Sequence, residues 1–378
     1  TLQKLAHSVI ILKFLLQSVS ALLIASFRLL PTTACTKLPP CKTLSLVIMK
    51  RLVFIILLSQ AFVVFSQNLS EIGFVFTSFD GNKKILIPKN NSEEIIAHFK
   101  PEVYQLNSKI ESNFNPTDKN NFEFLVSKAI QEIENNSFSK VVLSRKETVD
   151  LPNFDLISQY IKVASKYHSA LTYCWFHPEI GLWMGATPET LLKVNENKFQ
   201  TVALAGTQLY QGSEEVRWQK KEKEEQQLVT DYIVEIISKS VSEVQISGPN
   251  TFKAGNLLHL KTAIQGIIDK TSNLNELVLL LHPTPAVCGL PKQNAIDFIF
   301  TNEGYNREYY AGFLGEINYN DNFETDLYVN LRCMKIQTNS EINKATLYIG
   351  CGIIKDSIPE NEWFETVNKA MTLKNVIL

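Results

Sequence analysis

Leu171-Thr-Tyr-Cys-Trp-Phe-His-Pro-Glu-Ile-Gly-Leu-Trp-Met-Gly-Ala-Thr-Pro-Glu189 contains two β-type runs, 171–176 and 181–185, with Pro and Gly between them and no helical segment. Comparable runs, bounded by Gly, Pro or Asn, fall at 72–79, 140–144, 201–205, 313–319, 327–336 and 346–349. Helical periodicity is confined to 121–135, 154–166, 213–240, 274–281 and 359–373. Strands outnumber helices and do not alternate with them one to one. That argues against a doubly wound sheet or a TIM barrel and for a layered α+β domain. Beyond residue 67 there is no repeat, low-complexity tract or linker, so 67–378 is expected to form one domain, as one large core or two halves sharing one.

The 378 residues are 45% hydrophobic and 20% charged, with a formal net charge of −1. This is the composition of a globular chain with no global pull toward nucleic acid or an anionic membrane. Cys35, Cys41, Cys174, Cys288, Cys333 and Cys351 form no CxxC pair, so neither a structural zinc site nor a disulfide framework is expected. The charge is unevenly placed. Residues 1–70 hold no Asp or Glu, while Lys4, Lys13, Arg28, Lys37, Lys42, Lys50 and Arg51 are all basic. Within that part, Met49-Lys50-Arg51 followed by the apolar stretch 52–65 has the pattern of a signal peptide. Residues 1–66 are therefore expected to lie outside the core, as a signal-like segment or a mis-assigned start.

The helix expected over 213–240 carries Val229, Tyr232, Ile233 and Ile236 as its apolar stripe, and Glu225 and Glu222 continue that stripe toward its start. Two readings stand side by side: the stripe runs out into solvent among Lys220, Lys221 and Lys223, or the carboxylates are a paired oxygen site for a hard cation such as Mg²⁺. A second pair at the same spacing, Glu362 and Glu365, points away from the face made by Trp363, Phe364, Val367, Ala370 and Met371. On periodicity alone it is solvated surface, since acids are common in a first helical turn. Gly185-Ala-Thr-Pro-Glu189, Ala205-Gly-Thr207 and Gly350-Cys-Gly352 place polar groups at strand ends, where main-chain N–H groups can approach a small anion.

Taken in order, Lys140-Val-Val-Leu-Ser-Arg145, Gly185-Ala-Thr-Pro-Glu189, Ala205-Gly-Thr207, Lys221-Glu-Lys-Glu-Glu225, 281–292, Tyr310-Ala-Gly312, Leu331-Arg332, Gly350-Cys-Gly-Ile-Ile354 and Pro359-Glu-Asn-Glu-Trp-Phe-Glu365 resemble the chorismate-utilising enzymes, and among them the isochorismate synthases. The resemblance runs from about residue 120 to the C-terminus and implies two large antiparallel sheets packed face to face with helices outside. It also implies a cytoplasmic, monomeric isomerase acting on chorismate, with no nucleic acid or membrane partner, the signal-like segment at 49–66 then being spurious. The product would feed menaquinone or siderophore biosynthesis, which share the reaction.

The family pattern assigns roles residue by residue. Glu222, Glu225, Glu362 and Glu365 correspond to the holders of Mg²⁺, which binds the ring carboxylate. Tyr310 and Arg332 correspond to contacts of the enolpyruvyl carboxylate, for which a guanidinium fork is suited. Gly206, Thr207, Gly350, Gly352 and Lys369 correspond to other contacts around the two carboxylates, and His259 to the site wall. Lys140 matches the lysine that activates water for attack at C2, and Glu189 the acid that protonates the departing C4 hydroxyl. Ala286 stands where salicylate-forming members tend to have Thr. Gln226 and Gln208 depart from the His and Arg that many members carry. The alternatives are a salicylate synthase and an exported, non-catalytic binding protein of the same fold.

Overall fold

Trp175 and Trp183 face one side of their sheet while Cys174, Leu182 and Met184 face the other, the period-two alternation of a strand buried on both faces. The computed structural model describes residues 7–12, 49–56, 64–65, 69, 71–92, 95–101, 114–254, 257–269, 272–319, 324–338 and 342–378. The strands in chain order are β1 (His7–Leu12), β2 (Met49–Ile56), β3 (Val64–Phe65), β4 (Gly73–Thr77), β5 (Lys84–Pro88), β6 (Ile95–Phe99), β7 (Lys140–Leu151), β8 (Leu171–His177) and β9 (Gly181–Thr187). They continue with β10 (Thr190–Asn195), β11 (Lys198–Leu209), β12 (Val241–Ala254), β13 (Leu257–Ile268), β14 (Gly289–Leu290), β15 (Phe313–Ile317), β16 (Thr325–Val329), β17 (Cys333–Gln337) and β18 (Asn343–Ile353).

Among the described residues these make two nine-stranded sheets, ordered β14-β7-β18-β17-β9-β8-β2-β1-β6 and β12-β13-β11-β10-β16-β15-β4-β5-β3. Pairing is antiparallel except at β2, which runs parallel to both β1 and β8. Phe76 of the second sheet meets Trp175 of the first at 4.4 Å between ring centres and stacks on Tyr309 at 4.6 Å, so the main core lies between the sheets. The expected α+β architecture is the observed one. Of residues 1–66, only β1, β2 and β3 are described. A chain shortened to Gln67 measures what their pairing contributes.

Six α-helices are described: α1 (Pro116–Glu134), α2 (Leu156–Lys166), α3 (Lys220–Ile237), α4 (Leu274–Leu281), α5 (Lys292–Asn302) and α6 (Pro359–Ile377). Asn115, Asp155 and Asn273 cap α1, α2 and α4 through side-chain oxygens that accept backbone N–H bonds. Tyr160 and Val163 of α2 and Leu373 and Val376 of α6 cover the outer face of the first sheet.

Two expected elements are shorter than their patterns suggest. The helix expected from 213 starts at Lys220, because buried Trp218 donates Nε1–H to Thr251 Oγ1 at 3.0 Å and holds the preceding segment against β12. The strand expected over 327–336 is broken at 330–332, where Arg332 takes φ +49°. Ala186 N–H bonds Arg332 O at 3.0 Å and Val329 N–H bonds Glu189 O at 2.9 Å, tying this corner to the turn after β9.

Candidate active site

Lys140 opens β7 with a side chain 0% exposed, and its ammonium lies 3.1 Å from Glu225 Oε1 in the second turn of α3. A buried charge needs such a partner. The approach is possible because residue 352 of β18 is Gly: a Cβ there would collide with Glu225 Oε1 and reach Lys140 Cε at 3.3 Å. Gly206 serves the first turn of α3. It sits at φ +72° where the β11–β13 register shifts between Ala205 and Gln208, and a Cβ would meet the Glu222 Cβ at 2.9 Å.

The cavity above these residues has a volume of about 80 Å³. Glu189, Gly206, Thr207, Glu225, His259, Ala286, Tyr310, Arg332, Gly350, Gly352 and Lys369 all line it. Lys140, Glu222, Glu362 and Glu365 are the expected site residues that do not line it, and Lys140 touches Glu225, which does. At 80 Å³ the site is tighter than the roughly 300–1,000 Å³ usual for a small-molecule pocket. A larger hollow of about 700 Å³ lies across β10, β11, β12 and β13 and contains none of these residues.

Each ionisable group is set by its surroundings. Glu189 is buried, and burial pushes its carboxyl up to about 7 against the opposing charges of Lys140, Arg332 and Lys369. Burial alone would raise Glu225 too, but Lys140, Lys221 and Lys369 hold it below the ordinary carboxylate range. His259 is driven down to about 3, first by burial and then by Arg332 and Lys369, so its ring is neutral. Its tautomer follows from its neighbours. Arg332 NH2, 3.3 Å from Nε2, can only donate, so Nε2 accepts and Nδ1–H donates to Gly206 O at 2.9 Å. His259 thereby steers the guanidinium. Lys369 donates to Gly350 O at 2.9 Å and to Glu365 at 2.7 Å.

The second glutamate pair corrects the sequence reading. Glu362 is 1% exposed, not solvated surface, because α6 is enclosed by β18, α1 and α2 on several sides. Lys221 donates to its Oε1, while Oε2 is buried without a well-formed hydrogen bond. Burial and then the nearby Glu365 carboxylate push Glu362 up to about 7, with Lys221 and Ser357 offsetting part of the rise. Glu222 accepts the Gln219 N–H at 3.0 Å, an N-terminal cap.

The donors suit a hard cation in kind: crowded carboxylate oxygens, one of them unsatisfied. Among the described residues, however, no three His, Cys, Asp or Glu side chains are grouped so as to hold a metal ion. Lys140, Lys221 and Lys369 supply the positive charge instead. Sequence reasoning missed Lys221 and the wall residues Val142, Val287 and Tyr348. Val142 was reachable, because it shares a strand face with Lys140 two residues before it.

The family model for chorismate binding enzymes matches residues 71–378. Isochorismate synthase EntC of Escherichia coli K12 is 30% identical over 271 residues, covering 68% of this chain and 67% of the relative. Isochorismate synthase MenF of the same organism is 29% identical over 274 residues, covering 69% of this chain and 61% of the relative. The chain thus spans about three fifths to two thirds of these relatives. The crystal structure of DhbC from Bacillus anthracis superposes with a TM-score of 0.68 at 24% identity, over 81% of this chain and 84% of that one. No helix among the described residues is long and apolar enough to cross a membrane.

Proposed function

Because the chain belongs to the chorismate binding enzyme family, we propose that it is an isochorismate synthase, converting chorismate to isochorismate. One observation carries the choice within the family: a buried lysine, Lys140, stands beside a cavity that also holds a buried carboxyl, Glu189, retaining its proton near neutrality. Water addition at C2 needs a group to accept a proton from water, and loss of the C4 hydroxyl needs a group to give one. In this reading Lys140 accepts the first proton, and Glu189 delivers the second. The hydroxyl leaves as water, so the product is an isomer of the substrate, and the two residues then restore their own protonation.

The rest of the site binds and orients. Arg332, steered by His259, offers its fork to one substrate carboxylate, and Tyr310 and Lys369 extend the cationic and hydrogen-bonding wall. Glu222, Glu225, Glu362 and Glu365 are the carboxylates that would hold Mg²⁺ if drawn closer together than they stand here, and the ion would then neutralise the other substrate carboxylate. Ala286 leaves that wall without a hydroxyl. The test is chromatographic: chorismate and Mg²⁺ with the purified protein should give isochorismate. Salicylate with pyruvate, or anthranilate when ammonia is added, would overturn the reading.

A further inference from the structure

Behind the cavity wall lies an ion pair that the reaction above does not use. Glu303, just past α5, and Arg307 are both inaccessible, their side chains 0% and 2% exposed. The guanidinium grips the carboxylate with two prongs, Nε to Oε2 at 2.8 Å and NH2 to Oε1. NH2 also donates to Val142 O at 2.7 Å, and NH1 donates to Val287 O at 2.9 Å. Glu303 Oε1 accepts from Ser144 N at 2.7 Å and Ser144 Oγ at 3.0 Å, and Tyr310 N–H bonds Arg307 O at 2.9 Å.

These bonds join three segments that carry site residues. Val142 lies two residues beyond Lys140 on β7, Val287 adjoins Ala286, and Tyr310 is on the turn that Arg307 itself begins. Val142 and Val287 both line the cavity. Strand pairing already links β7 to this loop through Val142 N–H to Cys288 O at 2.8 Å, and the guanidinium adds a second, inelastic link across the same gap. A buried ion pair is weak evidence of stabilisation, since an apolar pair of similar volume often serves as well. The directional demand on the planar guanidinium is harder to replace. A lysine at 307 could hold the carboxylate, but one ammonium cannot supply the same fork and both carbonyl bonds.

We propose that Glu303 and Arg307 form a positioning pair that fixes the Lys140 strand against the Ala286 wall and the Tyr310 turn, so that proton transfer and substrate meet at the right distance. The inference rests on the isochorismate synthase reading. The test is a double variant, Glu303→Leu with Arg307→Met, together with Arg307→Lys, each assayed for thermal unfolding, calorimetric binding of chorismate with Mg²⁺, and turnover. The double variant should unfold near the wild-type temperature and bind chorismate nearly as well, while kcat falls roughly 10–100-fold, the cost of ångström-scale misplacement. Arg307→Lys should show the same split in smaller degree, and it decides the matter if the double variant does not fold. Wild-type kcat in any folded variant overturns the proposal, as does a loss of turnover matched by an equal loss of binding. If the wild-type chain makes another product, the functional reading fails, while the same split measured on that product still tests the pair.

Discussion

The starts of α3 and α6 carry glutamates at the same spacing, yet sequence periodicity misses the most buried of the four, Glu362. Glu222 and Glu225 continue an apolar stripe, and both are only partly buried. Glu362 and Glu365 point away from one, and Glu362 is among the most buried acids described. A hydrophobic stripe reports the face a helix lays on an apolar layer. It is silent about a face laid on a polar site, and α6 has both. The lysines divide the same way: Lys140 answers Glu225 from a strand, whereas Lys221 answers Glu362 from the neighbouring helix.

The strongest way to break this comparison is to remove the two lysines in turn. Lys140→Ala should fold and bind chorismate with Mg²⁺ while isochorismate formation falls by roughly two to four orders of magnitude, the usual contribution of a general base. Lys221→Ala should lose far less turnover, and equal losses would show that the two ammonium groups do one job. Next in size, Glu225→Gln and Glu365→Gln should each raise the Mg²⁺ concentration for half-maximal rate by roughly 10–100-fold, at least what an outer partner of a metal site contributes. An unchanged Mg²⁺ profile in both would put the cation elsewhere.

A smaller effect separates Glu362 from Glu225 by sign. Glu362 titrates near 7 in the folded chain against about 4.5 unfolded, so between those values the folded state binds more protons. Its contribution makes the metal-free protein more stable as pH falls from about 7 toward 4.5. Glu225, held low, acts oppositely and loses stability only as pH drops through its depressed folded value. Thermal unfolding in EDTA at pH 5.5 and 8 should therefore favour the lower pH, and Glu362→Gln should shrink the gap by a few degrees. Glu189, also raised to about 7, keeps part of it. The smallest effect is expected at the amino end. A chain beginning at Gln67 should keep its isochorismate-forming rate, since every lining residue lies beyond 140, and loss of both folding and rate would show that β1 and β2 belong to the working sheet.

Much of this was legible beforehand because the site is built at strand ends. Gly206 and Gly352 mark close approaches that only a missing Cβ permits, and such glycines stand out between β-type runs. What stayed hidden depends on contacts distant in sequence. β12 is exposed along most of its length and the first four residues of β13 are all buried, so neither strand shows a clean alternation. Helix α5 has a weak stripe, and Glu303 and Arg307 look like surface charges until β7 and the 284–288 loop close over them.

The corner at 330–332 has one more consequence. Arg332 stands in the left-handed backbone region, where a non-glycine residue is disfavoured by roughly 1–2 kcal/mol. Glycine would relax that corner and would at the same time delete the guanidinium that His259 steers. A relaxed backbone and a guanidinium held against His259 are thus mutually exclusive at this one position, and the chain carries the second at the expense of the first.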